Sequence, residues 1–315
     1  MENKERYLQV CEQYADIPVF MQPWWMDAVC AGKQWDVLLS TDENGEVRAA
    51  MPYLIRKRFW MRYVIMPQQT QINGIWLRWD MRENLMLVKE ICQDFAAQLK
   101  AMKLSYYYQQ YPIGSPCPQI MKTLGFKVKE RTTYRIDDLT DLNKLINTFS
   151  KNKKRQLQKA LALHADTQMT AEEFYQFHTD CLEQRGKKIS YTREDFLVLY
   201  QKATRQQQGV ILSVRDQQQE PLAAVFLVWD KRTLYYLIPC FSEDKKETGA
   251  SALLAWEAIK QAEARQLQFD FEGSMNRGIA NHYKQFASTP TAYFAVRKYY
   301  RPMFALFKLF YSLKK

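Results

Sequence analysis

The sequence predicts a mixed α/β protein made of two tandem copies of one unit, an expectation carried by three observations. A strand-turn-strand pattern occurs twice, at 46–55 with 63–67 and at 220–228 with 235–239, and each has an alanine pair near its start, Ala49-Ala50 and Ala223-Ala224. Each hairpin precedes an amphipathic helix, a short strand and a second helix. The short strands match, Leu104-Ser105-Tyr106-Tyr107-Tyr108 against Leu267-Gln268-Phe269-Asp270-Phe271, and so do the helix ends, Leu124-Gly125-Phe126 against Phe286-Ala287-Ser288. Self-similarity over long segments is the mark of a repeated architecture. Antiparallel hairpins that lead into β-α-β give a mixed sheet, so the class is α/β in its α+β form.

The elements follow in order. Pro23 opens a short helix over 24–29, and 35–40 is a strand that turns at Asn44-Gly45, a pair whose positive φ values suit a tight hairpin. Its partner is the Ala49-Ala50 strand, and a basic turn leads to 63–67. Leu85, Val88, Cys92, Phe95, Ala96 and Leu99 recur at helical spacing and predict a helix with one buried face, feeding the strand around Tyr106. A helix over 120–124 stops at Gly125, and 126–136 is expected to close the first copy. A helical connector over 141–163 buries Leu142, Leu145, Ile146 and Phe149, followed by helices at 171–184 and 193–206 on either side of Gly186. The second copy has strands at 210–215, 222–229 and 233–238, then a helix over 248–265 with Ala250, Leu253, Leu254, Ala258 and Ala262 on one face. The strand 267–271, a helix over 278–286 and the strand 291–298 are expected to complete it. The expected division is a first unit at 1–137, a helical connector with a basic helix at 138–207 and a second unit at 208–315.

Composition limits what such a chain does. Its 315 residues are 47% hydrophobic, which suffices for two packed cores. The first residues are charged, no apolar leader follows, and no run of about 18 apolar residues occurs, so a cytoplasmic location is expected. Six scattered cysteines without a C-x-x-C pair, and only three histidines, argue against a disulfide framework or a metal centre. A net charge of +11 favours encounters with phosphates without choosing among nucleic acid, nucleotide cofactor and anionic lipid. It is concentrated at Arg56-Lys57-Arg58 with Arg62, at Lys151, Lys153, Lys154, Arg155 and Lys159, and in the C-terminal tail, where a charged run is ordinarily a solvated face. The tail, 299–315, is strongly apolar with Pro302 suited to a first helical turn. Such a helix either docks on its own domain or lies at a membrane interface.

Glu272 is the candidate general base, because a carboxylate at a strand end beside an apolar cleft is desolvated and held ready to accept a proton from an ammonium. The alternative is a local role, pairing with Arg277 or capping Gly273.

The element order resembles the GNAT superfamily of acyl-CoA N-acyltransferases. Lys246-Glu247-Thr248-Gly249-Ala250-Ser251 resembles its pyrophosphate loop, in which backbone amides at a helix N-terminus hold coenzyme A, although Lys and Ser replace two consensus residues. The resemblance implies Lys246, Gly249, Ala250 and Ser251, with Ile238, as binders of an acyl-CoA, and Gly249→Val is expected to weaken donor binding and leave the fold standing. Asn281-His282-Tyr283-Lys284-Gln285-Phe286-Ala287 resembles the superfamily's Tyr-x-x-x-Gly helix end, which implies Tyr283 as the acid for the leaving thiolate. The first copy has Met121 in that register, four residues before Gly125, and methionine transfers no proton, so its half reads as non-catalytic.

A doubled GNAT-like unit is the architecture of the Fem peptidyltransferases and the FemAB-like acetyltransferases. The basic helix from Ser150 to Ala160, the Tyr283-Lys284-Gln285-Phe286-Ala287 segment and the strand end Phe269-Asp270-Phe271-Glu272-Gly273-Ser274 resemble theirs. This implies Lys284 as the partner of the developing oxyanion, and Arg155, Trp24 and Tyr236 as contacts to an amine substrate, small or lipid-linked. A coiled-coil arm, frequent in the tRNA-dependent members, is missing, since no sustained heptads occur. Three readings follow: acyl transfer from an acyl-CoA-like donor to an amine, aminoacyl transfer from tRNA to a peptidoglycan precursor, or a silent module that grips a phosphorylated or lipid-linked glycan.

Overall fold

The computed structural model describes residues 2–30, 35–273 and 275–305. The chain divides into two compact units, Met1–Arg131 with Ala292–Lys315, and Thr132–Thr291.

In the first unit α1 (Glu2–Gln13) and α2 (Pro23–Cys30) precede β1 (Trp35–Thr41), β2 (Val47–Arg58), β3 (Met61–Ile65) and the short β4 (Trp76–Leu77). Helix α3 (Leu85–Ala101), β5 (Tyr106–Gln110) and α4 (Cys117–Thr123) follow. β1, β2 and β3 form an antiparallel meander, and β3 pairs with β5 in parallel. Asn84 caps α3 by accepting the Leu87 N–H, and the helix buries Val88, Ile91, Cys92, Phe95 and Leu99, the face its apolar spacing predicts.

The second unit repeats the plan. The strand β6 (Lys127–Ile136) leads to α5 (Leu142–Thr148), α6 (Lys151–Lys159), β7 (His164–Asp166), α7 (Ala171–Glu183) and α8 (Arg193–Arg205). Then come β8 (Gly209–Arg215), β9 (Pro221–Trp229), β10 (Thr233–Phe241), α9 (Ala250–Glu263), β11 (Gln268–Asp270) and α10 (Arg277–Lys284), followed by β12 (Thr289–Tyr299), which from Ala292 on belongs to the first unit. β8, β9 and β10 are an antiparallel meander and β10 pairs with β11 in parallel, the first unit's pattern again. The alanine pairs occupy equivalent places: Ala49 lies opposite Ser40 and Ala223 opposite Val214, each the last pairing before the register shifts between Ser40 and Thr41 and between Val214 and Arg215.

The closing strands differ from the expectation that each copy closes itself. Strand β12, which ends the second copy, pairs with β5 of the first unit through Ala295↔Gln110 to Tyr299↔Tyr106. The end of β6, which follows the first copy, pairs with β11 of the second unit through Phe269↔Ile136 and Asp270↔Arg135. A strand satisfies its backbone groups on any open edge of compatible pattern, and each copy's fourth strand offers one. The observed units therefore interleave along the chain where the sequence suggested consecutive segments, and the helices of the expected connector belong to the second unit.

That connector is also not one helix. Phe149 is extended and buried against Trp256 and Phe286, and Ser150 restarts the chain as the cap of α6. Residues 306–315, most of the expected C-terminal helix, lie outside the described residues, as does Ser274. Phe304 docks on its own unit, against Tyr63 and Tyr106. No helix among the described residues is long and apolar enough to cross a membrane.

Candidate active site

In the second unit β10 and β11 pair only at Thr233↔Gln268, Leu234↔Phe269 and Tyr235↔Asp270. Beyond this β10 runs on to Phe241 against β9, its register slipping between Tyr236 and Ile238, while β11 ends at Asp270. Parallel strands that part at their carboxyl ends form the crevice where open α/β sheets receive ligands. Ile238 lies at the slip and is buried; the Tyr236 ring lies 6.0 Å from that of Phe269 and 5.8 Å from that of Phe271.

The end of β11 carries two carboxyl groups. Asp270 is fully buried; it accepts hydrogen bonds from the Thr133 hydroxyl and, at 2.7 Å, from the Glu272 N–H. The second of these bonds holds Glu272 at φ 64°, followed by Gly273 at φ 66°. Only glycine fits at 273, since a Cβ there would stand 2.4 Å from the Thr132 carbonyl oxygen. The resulting turn leaves Glu272 Oε1 and Asp270 Oδ2 buried without hydrogen-bond partners; Arg135 Nε is 4.0 Å from the latter. Burial pushes Asp270 up to about 6, against the pull of its hydrogen bonds and of Arg135. Burial and then the Asp270 charge push Glu272 well above the usual carboxylate range. A buried carboxyl oxygen with no partner is a costly arrangement for folding alone, and it is what a proton acceptor needs.

Helix α10 brings Tyr283 to this pair. Asn276 caps the helix by accepting the Gly278 and Ile279 N–H groups, and Ala287 ends it at φ 59°, where the first copy uses Gly125 at φ 81°. The Tyr283 ring stacks on Phe271 with centroids 4.4 Å apart, and burial together with the Glu272 and Asp270 charges raises its hydroxyl pKa. It stays protonated at neutral pH. Lys284, one residue on, is exposed, with Nζ 5.9 Å from the centroid of the Tyr134 ring, which itself lies 6.1 Å from that of Tyr283. Met121 is buried in the first unit's core.

The expected pyrophosphate loop also has a packing role. Gly249 sits at φ 84°, and a Cβ there would lie 2.2 Å from the Gln156 carbonyl oxygen and 3.3 Å from Ala160 Cβ. The glycine thus lets the start of α9 meet α6, so the expectation that Gly249→Val leaves the fold standing is overturned. Lys246 is exposed with Nζ 3.3 Å from Glu243, Ala250 is buried, and Ser251 is half-buried in the first turn of α9. Arg155 is exposed on α6 and donates to Asn152 at 3.3 Å. Trp24 belongs to the first unit, its ring 5.5 Å from that of Trp25. The structure therefore brings together Glu272, Tyr283 and Tyr236, and leaves Arg155, Lys246 and Lys284 on the surface of their unit.

Two residues were missed from the sequence. Asp270 is one. The other is Lys153, expected in a solvated basic run but only 1% exposed: its Nζ reaches Gln156 Oε1 at 2.8 Å and His282 Nδ1 at 3.0 Å, and lies over the Phe286 ring. Burial pulls Lys153 down to about 8, and burial with the nearby lysine pulls His282 down to about 3. The signal was there: Lys153, Leu157 and Ala160 fall on one stripe at helical spacing. Among the described residues no group of three or more His, Cys, Asp or Glu is placed to hold a metal ion.

Residues 131–285 match the family described as an acetyltransferase (GNAT) domain. Over 98% of both chains the structure is similar to that of FemX, with a TM-score of 0.72 at 14% identity. It is similar to a tandem GNAT protein from the clavulanic acid biosynthesis pathway, with a TM-score of 0.54 at 8% identity over 94% of both chains. It is also similar to L-PGS from Bacillus licheniformis, with a TM-score of 0.51 at 13% identity over 90% of this chain and 94% of that one. No curated protein matches the sequence. Residues 131–285 thus match a GNAT acetyltransferase domain, and the repeated strand order of the two units gives the chain the duplicated fold seen in FemX and in the tandem GNAT protein.

Proposed function

We propose that the second unit moves an acyl or aminoacyl group from an activated donor to an amine. The observation that carries this reading is the unpartnered, buried Oε1 of Glu272 at the parting of β10 and β11, in the electrostatic reach of the Tyr283 hydroxyl. The amine nitrogen attacks the donor carbonyl and the C–N bond forms. Glu272, ionised, takes the proton that the nitrogen sheds. The carbon–sulfur bond of a thioester then breaks, and Tyr283 protonates the thiolate before recovering a proton from solvent. Lys284 is assigned to the oxyanion between these steps.

An acyl-CoA-like thioester is the donor we favour, with Lys246, Gly249, Ala250, Ser251 and Ile238 around its phosphates and acyl arm. Support comes from the GNAT match and from the short α7 and α8, 13 residues each, which form no long arm for tRNA. Aminoacyl-tRNA is the alternative donor, favoured by the likeness to FemX. Arg155 and Tyr236 are proposed contacts to the acceptor, for which a lipid-linked amine is one class.

The test compares the two copies at one register. Tyr283→Phe is expected to lower kcat for amide formation by roughly 10-fold or more. Met121→Leu, which conserves volume in the first unit's core, is expected to leave it unchanged. Equal small effects at both positions, with melting temperatures matched, would remove Tyr283 from the mechanism.

A further inference from the structure

The β2–β3 hairpin of the first unit closes through a two-residue turn, Phe59-Trp60, set by the pairings Arg58↔Met61, Lys57↔Arg62 and Arg56↔Tyr63. Turns this short favour Asn-Gly and similar pairs, because their central residues need positive φ. The chain has such a pair in its preceding hairpin, where Gly45 stands at φ 82°. At position 59 it places phenylalanine at φ 52°, a conformation that crowds a bulky L side chain. Both rings are held out in solvent, 66% and 65% exposed, with centroids 6.0 Å apart.

The flanking charges are equally unhelpful to folding. Lys57 and Arg62 are exposed and directly opposite each other across the strands, an arrangement in which like charges repel. Arg56 and Arg58 complete a stretch, 55–63, that contains four cations and no acidic residue. The chain's last described residues extend the same surface. Phe304 is buried in one small cluster with Met61 and Tyr106, stacking on Tyr106 at 5.0 Å, and beside it in the chain Arg301 is exposed and Met303 is 52% exposed.

A strained aromatic turn and opposed cations weaken a hairpin that stands alone, and strain retained in this way points to a partner. We propose that this end of the first unit docks on an anionic lipid bilayer. Phe59 and Trp60 enter the boundary between headgroups and acyl chains, where amphipathic aromatic rings are favoured, and Lys57, Arg62 and Arg301 meet lipid phosphates. Single-stranded nucleic acid also stacks on exposed rings, but it is held along a charged groove that tracks its backbone. Here the rings occupy the tip of a turn between two strands, a shape that inserts and does not cradle.

Co-sedimentation of the full chain with phosphatidylcholine vesicles, with and without phosphatidylglycerol, tests this. Binding is expected only to the phosphatidylglycerol vesicles and is expected to weaken with salt. Phe59→Gly/Trp60→Asn puts glycine at the positive-φ position of the turn, so it is expected to keep or raise the melting temperature while lowering vesicle affinity about tenfold or more. Lys57→Gln/Arg62→Gln is expected to lower affinity and flatten the salt dependence. Vesicle binding unchanged in the turn variant would overturn the proposal, as would wild-type protein that ignores phosphatidylglycerol. Binding of bulk tRNA that depends on Trp60, with no vesicle binding, would assign the surface to nucleic acid and overturn it too.

Discussion

Glu272→Gln is expected to lower kcat for acyl transfer by roughly 100- to 10,000-fold, the range lost when a positioned general base is removed. Its donor affinity and melting temperature are expected to hold, because glutamine keeps the shape and Oε1 makes no hydrogen bond that the exchange would break. The pH dependence adds a sharper signature. Glu272 acts only when ionised, and its pKa lies above the usual carboxylate range, so kcat/KM is expected to rise with pH through that raised value. Asp270→Asn removes the neighbouring charge that contributes to the shift while keeping an acceptor for the Glu272 N–H, and is expected to move the rising limb to lower pH. The comparison on one amine cancels the acceptor's own titration. An unmoved limb in Asp270→Asn would detach Glu272 from the profile.

Gly249→Ala carries the largest expected effect on stability. A left-handed backbone disfavours any Cβ, and this one would press on the Gln156 carbonyl at 2.2 Å, a backbone atom inside α6 that cannot swing aside. Roughly 2–4 kcal/mol should be lost. Thermal unfolding checks it, and a shift of roughly 5–15 °C is expected for a unit of this size. Gly45→Ala, with nothing within 4 Å of its Cβ, is the control for strain without the clash.

These two glycines show what a sequence discloses and what it withholds. Gly45 was legible, since Asn-Gly between two apolar runs announces a turn from local chemistry alone. The positive φ of Gly249 was equally local, but its reason, the approach of α6 from nearly a hundred residues earlier, was not. The repeat could be read because equivalent strands keep their residue types, as in the pairs Ala49-Ala50 and Ala223-Ala224. The exchange of β6 and β12 could not. Both strands follow a positive-φ helix end and both suit an open edge, so the choice rests on tertiary pairing that no window of sequence contains.

The candidate site divides in the same way. Glu272 and Tyr283 could be named because a strand end and a helix end place them, whereas Asp270 reads as one polar residue among three in Gln268-Phe269-Asp270 until Thr133 is seen against it. Lys153 was hidden by its neighbours, since a run of lysines looks solvated until the helix is turned and the stripe through Leu157 and Ala160 appears.

The most direct measurement of the central claim is product formation. Wild-type protein is incubated with acetyl-CoA, and separately with aminoacyl-tRNA, over a panel of amines that includes lipid-linked peptidoglycan precursor, and amides are read by mass spectrometry. An amide is expected from at least one donor, formed in proportion to free thiol when that donor is acetyl-CoA, and lost in both Glu272→Gln and Tyr283→Phe. Amide formed at the wild-type rate by both variants would place the chemistry outside the second unit's strand end. No amide from either donor, while donor still raises the melting temperature, would make the chain a binding module.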